Sequence, residues 1–239
     1  MQRELANLEA MLLEGGRMEL DQGALIASGV ETEHVFNSYL GRIDQLCHRI
    51  AAEAFRSKGS DVERAREIFH WLWRTKPYRY QYRSSFKLTD VLDAQLGEKD
   101  KVGNCLGLTL LYNVLAQRFG LEVKAVQLEH AFGLGPHVFS VLYVGGRSID
   151  IENIFPHGFD YRGHKGDPQR NEWGIRELVA DIYHSMANSF FEQGKLNSAI
   201  ENYDKALRLN PNYTKARLNK GIALVELGRL AEAREWFHD

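Results

Sequence analysis

Three things are scarce in this sequence, and each scarcity removes a class of protein. Charge of one sign is not in surplus: 30 Lys and Arg stand against 32 Asp and Glu, so no net field draws the chain to nucleic acid or to an anionic membrane surface. Long apolar runs are missing as well. No stretch approaches the roughly 20 apolar residues of a spanning helix, and the start, Met1-Gln2-Arg3-Glu4-Leu5, has no uninterrupted apolar segment of the signal-peptide kind. The chain therefore reads as cytoplasmic, with no membrane partner. Cysteine is limited to Cys47 and Cys105. A chain of 239 residues can bury a core without covalent staples, so a disulfide framework is not expected and each thiol is judged alone. What remains is an ordinary globular composition, long enough for two compact units.

The carboxy-terminal part repeats itself. Ala180 to Tyr213 aligns with Thr214 to Asp239 at an offset of 34 (214 − 180). Ala187 matches Gly221, Phe190 matches Leu224, Gly194 matches Gly228, Leu196 matches Leu230, Ala199 matches Ala233 and Tyr203 matches Phe237. Small residues recur where two helices cross closely, large ones where the pair fills its core, and glycine where the first helix ends. Asn210-Pro211-Asn212 closes the second helix of the first unit. With Tyr183, Ala187, Phe190, Ala199, Tyr203, Ala206 and Pro211 in place, residues 180–239 resemble tandem tetratricopeptide repeats, one complete and one stopping inside its second helix. The departure is Lys220, which stands where Met186 stands in the first unit. Stacked repeats bury their faces on neighbours, so either the array is cut short within its second unit, or the open end is expected to pack on the first domain or on another copy. The resemblance implies a protein or peptide partner.

Residues 1–175 are expected to form the other domain. Helical periodicity runs through Val35, Tyr39, Ile43, Leu46 and Ile50, and again through Val62, Ala65, Ile68, Phe69 and Leu72, with breaks at Gly15-Gly16 and at Ser57-Lys58-Gly59-Ser60. Pro77 to Arg83 alternates aromatic and charged residues in the manner of a rim strand or loop. Stacking on nucleic acid would need a wider basic surplus. Gly103-Asn104-Cys105 then opens a long apolar run from Leu106, a buried helix with a thiol in its first turn, where the macrodipole favours thiolate. Strands are expected at 123–128 and 138–144. Gly145-Gly146 reverses the chain, and 147–153 returns as the partner strand.

Cys105, then His137 on a strand 32 residues later (137 − 105), then an acid on the adjoining strand is the order of papain-like nucleophiles. With a two-residue turn, paired positions place Glu152 opposite Phe139 and Asp150 opposite Val141. Both acids then share the face of His137. Glu152 is one same-face step from His137 and Asp150 two, which favours Glu152 as the third member. One bulge would shift the register, so Asp150 stays a candidate. His34, His48 and His70 have no partner at ligand spacing. His157 and His164 lack a third ligand, so no metal is expected.

On Gly103-Asn104-Cys105-Leu106-Gly107-Leu108, Pro136-His137-Val138-Phe139 and Ile149-Asp150-Ile151-Glu152, the stretch from Leu88 to Phe159 resembles the bacterial branch of the transglutaminase-like, papain-related superfamily, in particular its members with a tetratricopeptide tail. The resemblance implies an α+β fold: a helical amino-terminal part and a buried Cys-bearing helix packed on a small antiparallel sheet, followed by an all-α tail. It implies Cys105 as nucleophile, His137 as base and an acid on the next strand, acting on an amide or peptide carbonyl without a cofactor. The backbone N–H of Cys105 supplies one oxyanion donor, and Gln81 or Tyr82 is the candidate for another. Some relatives are non-catalytic, so the alternative is an inactive domain in a binding or regulatory protein.

Overall fold

A computed structural model describes residues 2–55 and 59–237, with side chains from Leu5 onward. Ser57 and Lys58 of the expected break, and Asp239, lie outside the described residues. The elements are α1 (Gln2–Leu13), α2 (Leu20–Ala27), α3 (Glu33–Glu53), α4 (Asp61–Thr75), α5 (Leu88–Leu96) and α6 (Cys105–Arg118). After them come β1 (Val123–Ala131), β2 (Gly135–Val144), β3 (Arg147–Ile151) and β4 (Asn171–Trp173). The chain ends with α7 (Ile175–Glu192), α8 (Leu196–Leu209), α9 (Thr214–Glu226) and α10 (Leu230–Phe237). They fall into two compact units, residues 34–174 and residues 1–33 with 175–239. No described helix is long and apolar enough to cross a membrane.

In the unit of residues 34–174, α4 starts on a capping box in which Ser60 Oγ accepts from the Glu63 amide and the Glu63 carboxylate accepts from the Ser60 amide at 2.7 Å. It buries the expected stripe of Ala65, Ile68, Phe69 and Leu72. Helix α6 has no polar face: every residue from Leu106 to Ala116 is buried, as befits a helix enclosed on all sides. Antiparallel pairing gives one sheet of order β3-β2-β1-β4. Gly145 and Gly146, at φ 55° and 72°, make the two-residue reversal with positive φ that matches strand twist. The resulting register pairs Ser140 with Ile151, Val141 with Asp150 and Val144 with Arg147. Helix and sheet are tied by Thr109 Oγ1 donating to the Val138 carbonyl at 3.2 Å and Asn113 Nδ2 to the Lys124 carbonyl at 3.1 Å.

In the other unit, two helical hairpins repeat their joints as well as their residues. Gly194 donates to Phe191 and Lys195 to Phe190, both at 2.9 Å, and Gly228 and Arg229 do the same to Val225 and Leu224. Both glycines are left-handed, at φ 73° and 75°, so each first helix ends on the conformation that glycine adopts without strain. Gly221 is small because a Cβ there would lie 2.7 Å from Phe237. Lys220 is accommodated as a buried residue whose ammonium meets Asp204 and lies 3.6 Å from the centre of the Trp236 ring, so its stem packs where an apolar side chain is usual. The sequence grouped residues 1–33 with the first domain. They cluster instead with the repeats, because α2 is buried along nearly its whole length and Glu9 of α1 accepts from Tyr183 at 2.7 Å and from Lys205 at 2.8 Å.

One close approach positions the start of α6. A Cβ at Gly107 would stand 2.6 Å from the Ser85 carbonyl oxygen and 2.8 Å from Val91 Cγ2, so the chain before α5 reaches the α6 backbone only over a glycine. Gly107→Ala is expected to lose about 1–3 kcal/mol of unfolding free energy in urea titration. An unchanged midpoint would mean that the contact is not tight.

Candidate active site

Cys105 is half-buried and is the first residue of α6. Asn104 caps the helix, its Oδ1 accepting from the Gly107 amide at 3.0 Å. The loop before the cysteine is pinned by Tyr80, which forms a bridge with Gly103, and by the Val102 amide donating to the Arg79 carbonyl at 2.8 Å. As the opening residue of a helix, Cys105 has an amide with no intrahelical acceptor. Its thiol is close enough to the His137 imidazole to act on it electrostatically.

His137 stands in β2, opposite Leu128 of β1. Its Nε2 lies 2.7 Å from Glu152 Oε2, which leaves Nδ1 as the nitrogen for the thiol. Burial alone would pull the imidazole down, but the side-chain interactions with Cys105 and Glu152 and their charges push it up to about 9. Glu152 is fully buried. Burial would raise its carboxyl, yet the hydrogen bond from His137 and the imidazole of His164 hold it below the ordinary carboxylate range. The ladder stops at Ile151, and the Glu152 amide turns to donate to the Gly158 carbonyl at 2.8 Å.

Asp150, the other candidate acid, goes elsewhere. Arg170 holds it in a two-pronged pair at 2.8 and 3.0 Å, and Arg170 also donates to the His164 carbonyl at 3.0 Å. The acid nearest His137 is Glu152, and Asp150 anchors the loop between β3 and β4. Asn153, next to Glu152, donates to Ser140 Oγ at 2.8 Å and so fixes the point where the chain leaves the sheet.

Sequence reasoning passed over three features, two beside Glu152 and Cys105 and one in the repeats. His164, set aside for want of a third ligand, brings its Nε2 to 3.3 Å from Glu152 Oε2. Its ring is 5.0 Å from each of Phe132, Phe139 and Tyr161. Tyr80 has its hydroxyl pushed up by burial first and then by Cys105 and Glu152, whereas Tyr82 is occupied, donating to the Leu134 carbonyl at 3.1 Å. The third is a pocket of about 250 Å³ in the repeats, lined by Asn188, Phe191, Glu192, Tyr203, Asn219 and Ile222. There Asn188 Oδ1 accepts from Tyr203 at 2.7 Å and from Asn219 at 3.0 Å.

Comparison with known proteins bears first on the hairpins. Residues 187–228 match the family model of the TPR repeat, so the carboxy-terminal helices are a repeat of the protein-interaction class. A stretch of 58 residues, 24% of this chain, is 41% identical to an uncharacterized protein of Methanocaldococcus jannaschii over 67% of that protein's length. The chain belongs to the family of that archaeal protein. No solved structure matches it.

The two acids separate experimentally. Asp150→Asn is expected to lower unfolding free energy by about 1–3 kcal/mol while leaving the rate of Cys105 alkylation by iodoacetamide within about twofold. Glu152→Gln is expected to slow that alkylation by about tenfold or more. The opposite pattern would reassign the two roles.

Proposed function

We propose that residues 34–174 form a transglutaminase-like, papain-related thiol enzyme acting on an amide or peptide carbonyl, with the repeats supplying a protein or peptide partner. The observation that carries this reading is the line from a half-buried thiol at a helix start, through His137, to a fully buried carboxylate 2.7 Å from the imidazole.

In this reading His137 takes the Cys105 proton as sulfur bonds to the carbonyl carbon. The same proton is delivered to the departing amine as the C–N bond breaks, leaving a thioester on Cys105. Water then attacks the thioester to give an acid, or a second amine attacks to give a new amide, and sulfur regains its proton. Glu152 orients the imidazole and stabilises its charged form. The Cys105 amide faces the developing oxyanion, and Tyr80, whose hydroxyl Cys105 and Glu152 act on, joins Gln81 as a candidate second donor, Tyr82 being bonded to the Leu134 carbonyl.

A second reading keeps the domain inactive and makes the protein a recruiter through its repeats. The repeat pocket, lined by Asn188 and Asn219 among others, is what this reading would use. Alkylation separates the two. Cys105 is expected to react with iodoacetamide at least about tenfold faster in the wild type than in His137→Ala, and an activated ester is expected to leave one acyl group on Cys105, seen by mass spectrometry. Equal rates and no acyl adduct would favour the recruiter.

A further inference from the structure

Glu152 is approached by two imidazoles, and only one of the approaches is a completed hydrogen bond. Nε2 of His137 is at 2.7 Å from the carboxylate. Nε2 of His164 is at 3.3 Å, outside hydrogen-bond geometry, and it is buried with no other partner among the described residues. His137, Glu152 and His164 are exposed by only 6%, 0% and 7%, and each offers one ligand atom within 4.8 Å of the other two. A buried polar atom left without a partner costs free energy and calls for a cause.

We propose that these three groups are a binding site for a divalent transition-metal ion of the zinc class, and that its occupancy switches off the thiol at Cys105. The binding stands on the geometry alone. The switching rests on the reading of Cys105 and His137 as nucleophile and base.

The donor set selects the ion. Two imidazole nitrogens with one carboxylate suit zinc and its neighbours, whereas magnesium and calcium take oxygen ligands. Three protein ligands leave a fourth position for water. Ligand atoms about 2.0–2.2 Å from a tetrahedral ion lie roughly 3.4 Å apart. The His164 to Glu152 separation of 3.3 Å already meets that figure, and the 2.7 Å of His137 opens by several tenths of an ångström when the ion replaces the proton between them. Phe132, Phe139 and Tyr161 pack around the His164 ring and hold its nitrogen on the site.

The consequence for the thiol follows from imidazole chemistry. A neutral ring has one acceptor nitrogen. With the ion on Nε2 of His137, the proton resides on Nδ1, which can then only donate. The thiol proton has nowhere to go, and Glu152 no longer orients the ring.

The test uses the full chain, untagged and stripped with chelator, titrated with zinc chloride in a calorimeter, with magnesium chloride as the control. One zinc per chain is expected in the wild type and in Cys105→Ala, with at least tenfold weaker binding in His164→Ala and in Glu152→Gln, each checked for folding by circular dichroism. Zinc is also expected to slow wild-type Cys105 alkylation at least tenfold. No binding in the wild type, loss of binding in Cys105→Ala, equal binding of magnesium, or undiminished binding in both folded site variants would overturn the site. Zinc binding by Cys105→Ala together with alkylation that is equally slow in wild type and His137→Ala would leave the metal site standing and remove the nucleophile reading, and with it the switch.

Discussion

A carboxylate with no exposed surface is the constraint around which residues 34–174 are arranged. Burying an ionised group is tolerable only where charge and hydrogen bonds compensate it. Glu152 has its completed hydrogen bond from His137 at 2.7 Å, and the His164 imidazole stands beside it at 3.3 Å. Supplying both requires the chain to leave the sheet after Ile151. The Glu152 amide closes on the Gly158 carbonyl at 2.8 Å, and a Cβ on Gly158 would stand 1.9 Å from the Glu152 carbonyl oxygen. The tight turn after the sheet therefore exists to aim one side chain back at β2. Thr109, on α6, joins the same knot through the Val138 carbonyl and Asn153, so the helix that bears Cys105 and the strand that bears His137 are registered against each other.

How much of this was legible depended on the range of the interaction. The Gly145-Gly146 reversal set the β2–β3 register because a two-residue turn with positive φ leaves little freedom. The hairpin repeats were legible because each unit satisfies its glycine caps locally, 34 residues after the last (228 − 194). The choice between Asp150 and Glu152 was only half legible. Strand alternation put both on one face, but the residue that pairs with Asp150, Arg170, lies 20 positions further on in an irregular segment.

His164 and Tyr80 were not legible at all, for the same reason. The loop carrying His164 has no period to read, and it is held by isolated bonds such as the Tyr161 amide on the Asp150 carbonyl at 3.0 Å. Tyr80 meets the loop before Cys105 through a bridge to Gly103. The placement of residues 1–33 with the repeats rests on partners as distant as Glu9 and Lys205. Periodicity reports which face of an element is apolar and is silent on what will cover it.

Asp150 and Glu152 also provide an internal control on what burial alone demands. Both carboxylates have no exposure and stand two positions apart at the end of one strand. Asp150 is satisfied by one guanidinium in a two-pronged pair at 2.8 and 3.0 Å. Glu152 is instead set against two imidazoles, His137 at 2.7 Å and His164 at 3.3 Å, the second with no hydrogen-bond partner for its Nε2 among the described residues. One buried acid is tied to a guanidinium and the other, two residues on, is set against imidazoles, so burial alone does not dictate which partner a carboxylate receives.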